Sequence, residues 1–394
     1  MNNIFSDRIS DVPRSFIREI LKVAVDTSVI SFAGGLPNRD LFPVAELQAA
    51  VNKVFESAGK EVLQYSNSEG YPELREYISR RYLEKQGLDI PVENILITSG
   101  SQQGLDLLGK TFLNEGDDII IEEPGYLGAI QAFSVYKSVF NPVPVSEEGM
   151  DVDGLRKIFS AKSPKLMYTV PNFQNPSGIS YSGENRYAIA DVLKNKSTFL
   201  IEDDPYGDLR FTGDEKESFG KILPEKAILL GTFSKTIVPS FRLGWITAPS
   251  HAVMEKLIIA KQASDLHTNY FIQRVICQYI ADNDLQKHID KIIKVYNSQR
   301  LAMVRSIEKY FPSSVSHTHP EGGMFLWATL PEGTSSMELF DLAIKDKVAF
   351  VPGNPFYINK DETNTLRLNF SCVDEETIET GIKRLGKSIE KLLS

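Results

Sequence analysis

Between residues 95 and 265 the chain alternates two hydrophobic rhythms. Short runs rich in β-branched residues read as buried strands: Ile95-Leu-Ile-Thr98, Asp118-Ile-Ile-Ile121, Lys165-Leu-Met-Tyr-Thr-Val170, Thr198-Phe-Leu-Ile201, Ala227-Ile-Leu-Leu230 and Gly244-Trp-Ile-Thr247. Stretches with helical spacing accompany them, at 102–113, 184–194 and 251–265. Such alternation predicts an α/β fold, a mostly parallel sheet flanked by helices. Ligands of these folds sit beyond the carboxyl ends of the strands, so chemistry is expected in the polar residues just after each run.

The rhythm changes after about residue 290. A long helical pattern over 290–311 leads to strand-like runs at 323–328, 348–351 and 366–370, then a closing helix from Glu375. That pattern predicts a smaller α+β domain. The N-terminal segment is broken by Ala33-Gly-Gly-Leu-Pro37 and Leu41-Phe-Pro43 and cannot hold a core of its own. The predicted organisation is an N-terminal segment (1–50) packed on the small domain or a dimer partner, a large domain (51–290) and a small domain (291–394). A length of 394 residues agrees with two cores rather than one.

Composition narrows the function classes. With 42% apolar and 24% charged residues the chain is an ordinary globular protein. A formal net charge of -9 supplies no basic field for nucleic acid or a membrane surface. No stretch reaches the roughly 18 apolar residues of a membrane span, and residues 1–15 hold no secretory h-region. Cys277 and Cys372 offer neither a disulfide framework nor metal-ligand spacing, which predicts a cytoplasmic protein without a metal. His317 and His319 lie two apart with no third ligand in the sequence nearby, so no zinc site is expected there.

Four strand ends carry candidate chemistry. Ser99-Gly-Ser-Gln-Gln-Gly104 opens a helix, where free N–H groups and the dipole suit an anion. Gly231-Thr-Phe-Ser-Lys-Thr236 places Lys235 at a strand end, with hydroxyls on Thr232 and Ser234 and a guanidinium on Arg242. Those groups suit a phosphate beside a lysine that is paired, neutral or covalently used. Ile201-Glu-Asp-Asp-Pro-Tyr206 sets Asp203 and Tyr206 three apart, and Pro171-Asn-Phe-Gln-Asn-Pro-Ser-Gly178 sets Asn175 before a proline. Each piece alone also reads as a plain turn or cap. Neither a Walker lysine nor a dinucleotide fingerprint is present.

Taken in order, these motifs closely resemble the class I/II aminotransferases of fold type I, over nearly the whole chain from Phe32-Ala-Gly-Gly-Leu-Pro37 to Asn364-Thr-Leu-Arg367. Within that family the chain is most similar to the 2-aminoadipate and kynurenine aminotransferases. The segments that carry this are Gln64-Tyr65, Glu69-Gly-Tyr71, Gly100-Ser-Gln-Gln103, Phe173-Gln-Asn-Pro176, Asp265-Leu-His-Thr268 and Gly322-Gly-Met-Phe325.

The resemblance implies pyridoxal 5′-phosphate as cofactor, held by Lys235 as a Schiff base, and L-amino acids and 2-oxo acids as substrates. Glutamate and 2-oxoglutarate would form one pair. Asp203 would face the pyridine nitrogen, Tyr206 and Asn175 the ring 3′-oxygen, and Tyr126 the ring face. Gly100, Ser101, Gln102, Thr232, Ser234 and Arg242 would surround the phosphate, joined by Tyr65 of a neighbouring subunit in a homodimer. Arg367 would take the substrate carboxylate, with Gly35 and Asn175 nearby, and Arg18 a distal carboxylate. Lys261 is expected to carry no chemistry. The same scaffold also serves β-lyases, decarboxylases and ligand-sensing modules of transcription regulators. The last carry a winged-helix domain ahead of the fold, whereas here the fold is expected to begin almost at Met1.

Overall fold

The structure is a computed structural model that describes residues 4–10, 12, 28–360 and 362–394. Its centre is an eight-stranded sheet in the order Ile95–Thr98, Gly244–Thr247, Ala227–Thr232, Phe199–Asp203, Leu166–Thr169, Asp118–Glu123, Val139–Ser146, Gly149–Met150. All six predicted strands are present, in register with their neighbours. Gly244–Thr247 runs against both neighbours, and Gly149–Met150 turns back as a hairpin; the remaining pairings are parallel. The central strands are buried on both faces, which explains their continuous apolar runs.

Helices at Ser101–Phe112, Gly183–Leu193 and His251–Gln262 fall where the spacing predicts them, within one to three residues at each end. Side-chain caps fix the starts of two: Ser182 accepts from Asn185 N, and Ser250 from Val253 N.

A second sheet has the order Ser316–His317, Phe325–Thr329, Thr365–Asn369, Val351–Pro352, and every pair is antiparallel. The run at 348–351 is not one strand. It splits at Phe350: Val351–Pro352 joins this sheet, while Val348–Ala349 pairs in parallel with Ile30–Ser31. That pairing ties the N-terminal segment to the C-terminal part of the chain. Phe32, wholly buried, accepts Asn369 N at its carbonyl (2.9 Å).

The expected boundary at residue 290 falls inside a continuous 26-residue helix, Leu285–Tyr310, which Asp284 caps. Helix Leu285–Tyr310 packs along the closing helix Glu375–Leu393. The expected boundary at residue 50 likewise falls inside the helix Val44–Ala58. We propose on these contacts that both boundaries move to the helix starts, to Pro43 and Asp284.

Candidate active site

The carboxyl ends of the parallel strands open into a cavity of about 440 Å³. Ile95–Thr98 feeds it through Gly100, at φ 78°, into the helix Ser101–Phe112. A Cβ on Gly100 would lie 2.8 Å from a guanidinium nitrogen of Arg242. Glycine therefore serves twice: it accepts the left-handed backbone, and it lets Arg242 lie against the helix start. Gly100 itself does not line the cavity, whereas Ser101 and Gln102 do. Gln102 Nε2 reaches Gly128 O at 2.9 Å.

Ala227–Thr232 delivers the next group. Thr232 Oγ1 lies 2.9 Å from Ser234 Oγ and accepts Ser234 N at 3.1 Å. Arg242 holds φ 51°, a strained conformation for a non-glycine residue of the kind that clusters at functional sites. Lys235 Nζ donates to Gly35 O (3.0 Å) and stands 6.0 Å from the Tyr206 ring centroid. Desolvation pulls the Lys235 amine down to about 8, against the pull of the Cys372 thiol, with Arg367 and Arg242 adding to the lowering.

Phe199–Asp203 ends on Asp203, 2% exposed. Its Oδ2 accepts from Tyr168 Oη at 2.8 Å, and its Oδ1, fully buried, has no partner. Burial pushes its pKa up to about 7, opposed by the Tyr168 bond. The turn at 171–178 brings Asn175 within 3.5 Å of Tyr206 Oη through Nδ2, while its Oδ1 accepts from Arg367 Nη1 (2.8 Å). Arg367 Nη2 donates to Ala33 O (2.8 Å), and its Nε is buried without a partner. The guanidinium lies 4.5 Å from the ring of Phe325 and 5.3 Å from that of Phe356. Burial draws its pKa down to about 10. Tyr126, whose hydroxyl burial pushes up to about 12, completes the wall.

The family model for aminotransferase class I and II matches residues 27–385. The chain belongs to that family. This aminotransferase is 41% identical to aromatic-amino-acid aminotransferase 1 of Thermococcus litoralis, over 98% of its own length and 94% of the relative's. It is 37% identical to the 2-aminoadipate transaminase of Thermus thermophilus, over 97% and 96%. Among solved structures, kynurenine aminotransferase of Pyrococcus horikoshii, in complex with PMP, superposes with a TM-score of 0.94 at 40% identity, covering 99% and 98% of the two chains.

Membership makes pyridoxal 5′-phosphate the cofactor, and the residues present fit it. An unpartnered buried carboxylate oxygen on Asp203 awaits a donor, as a protonated ring nitrogen is. The same lining carries the Arg242 guanidinium, the hydroxyls of Ser101, Thr232 and Ser234 and the start of the helix Ser101–Phe112, donors that suit a phosphate.

The aminotransferase thus brings together every expected site residue except three. Gly100 acts from behind Arg242. Tyr65 stands away from this cavity, 79% exposed, its ring edge-on to His267. Arg18 lies outside the described residues. Sequence reasoning missed Tyr168, which orients Asp203, although a tyrosine inside an apolar strand signals a hydroxyl in need of a partner. It also missed Glu122, which accepts from Tyr181 Oη (2.6 Å), Gln174 Nε2 (3.0 Å) and Val170 N (3.0 Å) and so braces the turn that carries Asn175.

In the loaded enzyme a positive ring beside Asp203 would hold its pKa down; in the free protein burial raises it. The folded value near 7 lies above the ordinary value near 4. The folded state therefore keeps a proton that the unfolded chain releases, and stability falls as pH rises from about 4 to about 7. Asp203→Asn removes this penalty. The cofactor-free variant should melt about 2 °C or more above the cofactor-free parent at pH 8, and level with it near pH 4. Calorimetry at both pH values checks this, and a variant less stable at pH 8 contradicts it.

Proposed function

We propose that this pyridoxal-phosphate-dependent transaminase pairs glutamate and 2-oxoglutarate with a second amino acid of aromatic, aliphatic or 2-aminoadipate type. The observation that supports the reading is one cavity holding Lys235, the free oxygen of Asp203 and the buried guanidinium of Arg367. The relatives named above act on aromatic amino acids, 2-aminoadipate and kynurenine by their names, which favours this range of side chains.

When bound, the cofactor supplies an electron-withdrawing ring that weakens the bonds at the substrate's α-carbon. The chain's residues do the rest. Asp203 would keep the ring nitrogen protonated, with Tyr168 holding the carboxylate in line. Asn175 and Tyr206 would hold the 3′-oxygen, and Tyr126 would stack on the ring. The phosphate would rest against Ser101, Gln102, Thr232, Ser234 and Arg242, with Gly100 leaving the space and Tyr65 reaching in from a neighbouring subunit. Arg367 would bind the α-carboxylate through its fork, near Gly35 and Asn175. Lys235 must act as a neutral amine to take a proton from the α-carbon and return it elsewhere. A pKa near 8 leaves roughly a tenth of it neutral at pH 7 and brings it close to the range where proton transfer is efficient.

A homodimer in the cytoplasm is part of the same proposal. Leu36, Leu63, Tyr65 and Leu266 are exposed apolar side chains, and Leu266 adjoins His267, the ring against Tyr65. An apolar rim of this kind suits a partner subunit. Among the described residues no helix is long and apolar enough to cross a membrane.

The test is a panel of amino donors against 2-oxoglutarate, with visible absorption recorded alongside. Glutamate regenerated from 2-oxoglutarate supports the pairing, and a donor panel without turnover refutes it. The panel also tests Arg18, the proposed contact for a distal carboxylate. A charged hydrogen bond is worth roughly 1.5–3 kcal/mol, so Arg18→Ala should lower turnover of glutamate or 2-aminoadipate about 10- to 150-fold. Leucine should lose little, and equal losses for both classes remove Arg18 from the site.

A further inference from the structure

Lys261 stands near the end of the helix His251–Gln262 with its side chain wholly buried, an uncommon place for an ammonium group. Its Nζ donates to Asp265 Oδ1 (2.8 Å) and to Gln103 Oε1 (3.0 Å). Both partners continue to a single residue. Gln103 Oε1 accepts the backbone N–H of Ser99 at 2.8 Å, and Ser99 Oγ lies 3.3 Å from Asp265 Oδ2, which also takes Gln103 Nε2 at 2.7 Å.

The chemistry of this cluster fixes one orientation. An ammonium can only donate and a carboxylate can only accept, so the Gln103 amide must turn its oxygen to Lys261 and its nitrogen to Asp265. That choice leaves the oxygen facing the Ser99 N–H. Ser99 is the residue between the strand Ile95–Thr98 and Gly100. A loop there needs bracing, since Gly100 is held at φ 78° and Arg242, packed against it, at φ 51°.

We propose that Lys261, acting through Gln103 and Asp265, positions the loop at residues 99–102 to receive the cofactor's phosphate. Lys261 is a positioning residue and touches no reacting atom. The inference rests on the assignment of that loop to the phosphate under the proposed function. The same cluster extends towards Tyr65: His267 N donates to Asp265 O (2.8 Å), and His267 Nε2 accepts Ser66 N (3.4 Å). One buried ammonium thereby steadies the loop of its own chain and the segment that offers Tyr65 to a neighbour.

The experiment compares pyridoxal 5′-phosphate with pyridoxal, which has the ring and aldehyde but no phosphate. Apoenzyme prepared from the holoenzyme is titrated with each, and the visible band gives the affinity. Lys261→Met keeps the side chain out to Cε but removes the donor, which takes one anchor from the Gln103 oxygen and leaves Asp265 without its counter-charge. It should weaken the phosphate form about tenfold or more and pyridoxal less than about twofold. Gln103→Leu keeps the Lys261–Asp265 pair and should give the same selective loss, which covers the case of a poorly folded Lys261→Met. Equal weakening of both ligands, or no weakening, in a folded Lys261→Met or in Gln103→Leu overturns the proposal. A parent enzyme that binds the two alike overturns the loop assignment itself, before either variant is made.

Discussion

Lys235→Ala should lose the visible band of the bound cofactor and lower turnover by about 10⁴-fold or more, the upper range of what a positioned acid–base group supplies. Unfolding is not the expected cause. The Lys235 amine has a folded pKa near 8, below the ordinary value near 10.4. The unfolded chain therefore binds a proton that the folded one resists, so the ammonium costs stability below pH 8 and ceases to as pH rises from about 8 to about 10. Replacing it removes that cost, so the cofactor-free variant should melt no lower than the parent at pH 7. Lys287→Ala is the proper control, since that side chain is 84% exposed. Lys261, expected from sequence to be inert, is buried and bonded and cannot serve. A Lys235→Ala enzyme that keeps both its colour and a tenth of its turnover removes the lysine from the chemistry.

Lys261, with no chemistry expected of it and yet buried and bonded, shows what a sequence conceals. Strands and most helices around the site were legible because each repeats a local rhythm: the apolar runs at 95–98, 227–230 and 244–247 are buried strands with the expected residues at their ends. Val139–Ser146 was not legible, because Pro142 and Pro144 interrupt it. Two prolines at alternate positions face the same way, and beyond them lies only the two-residue hairpin strand near the sheet's edge, where missing N–H groups are tolerated. The core helices Val44–Ala58, Pro72–Gln86 and Tyr270–Asp282 also passed unnamed.

The site residues were legible for a different reason. Lys235, Asp203, Asn175 and Arg367 sit in short motifs whose order carries the resemblance. The residues that hold them were not: Tyr168 under Asp203, Glu122 under the Asn175 turn, and Lys261 behind Ser99 act across 35, 52 and 158 positions of chain, by way of Gln174 and Gln103 in the last two cases. Nothing local marks such partners, because burial is a property of the folded whole. A lysine on an amphipathic helix looks solvated until the sheet closes over it.

Arg367→Ala is the second large loss. The guanidinium is 2% exposed, its Nε has no protein partner, and Phe325 and Phe356 flank it, so a carboxylate bound there is met with little water in between. Truncating one partner of a buried, hydrogen-bonded charge pair costs about 2–5 kcal/mol, so kcat/KM should fall about 30- to 5,000-fold. The loss should be uniform across acidic, aromatic and aliphatic donors, since every amino acid brings the same α-carboxylate. Arg18→Ala by contrast should discriminate among them. Arg367→Lys keeps the charge but not the fork and should recover only part of the activity.

One complication has to be separated. Arg367 also holds Asn175 Oδ1, so its removal loosens a residue expected at the ring 3′-oxygen. An amine donor that lacks the α-carboxylate distinguishes the two effects. If Arg367 serves the carboxylate, turnover of that amine, slow in the parent enzyme, should change by less than about threefold in Arg367→Ala, because no charge pair is lost. A fall as large as that seen with amino acids would mean that Arg367 acts by holding Asn175, and the carboxylate would then need another partner.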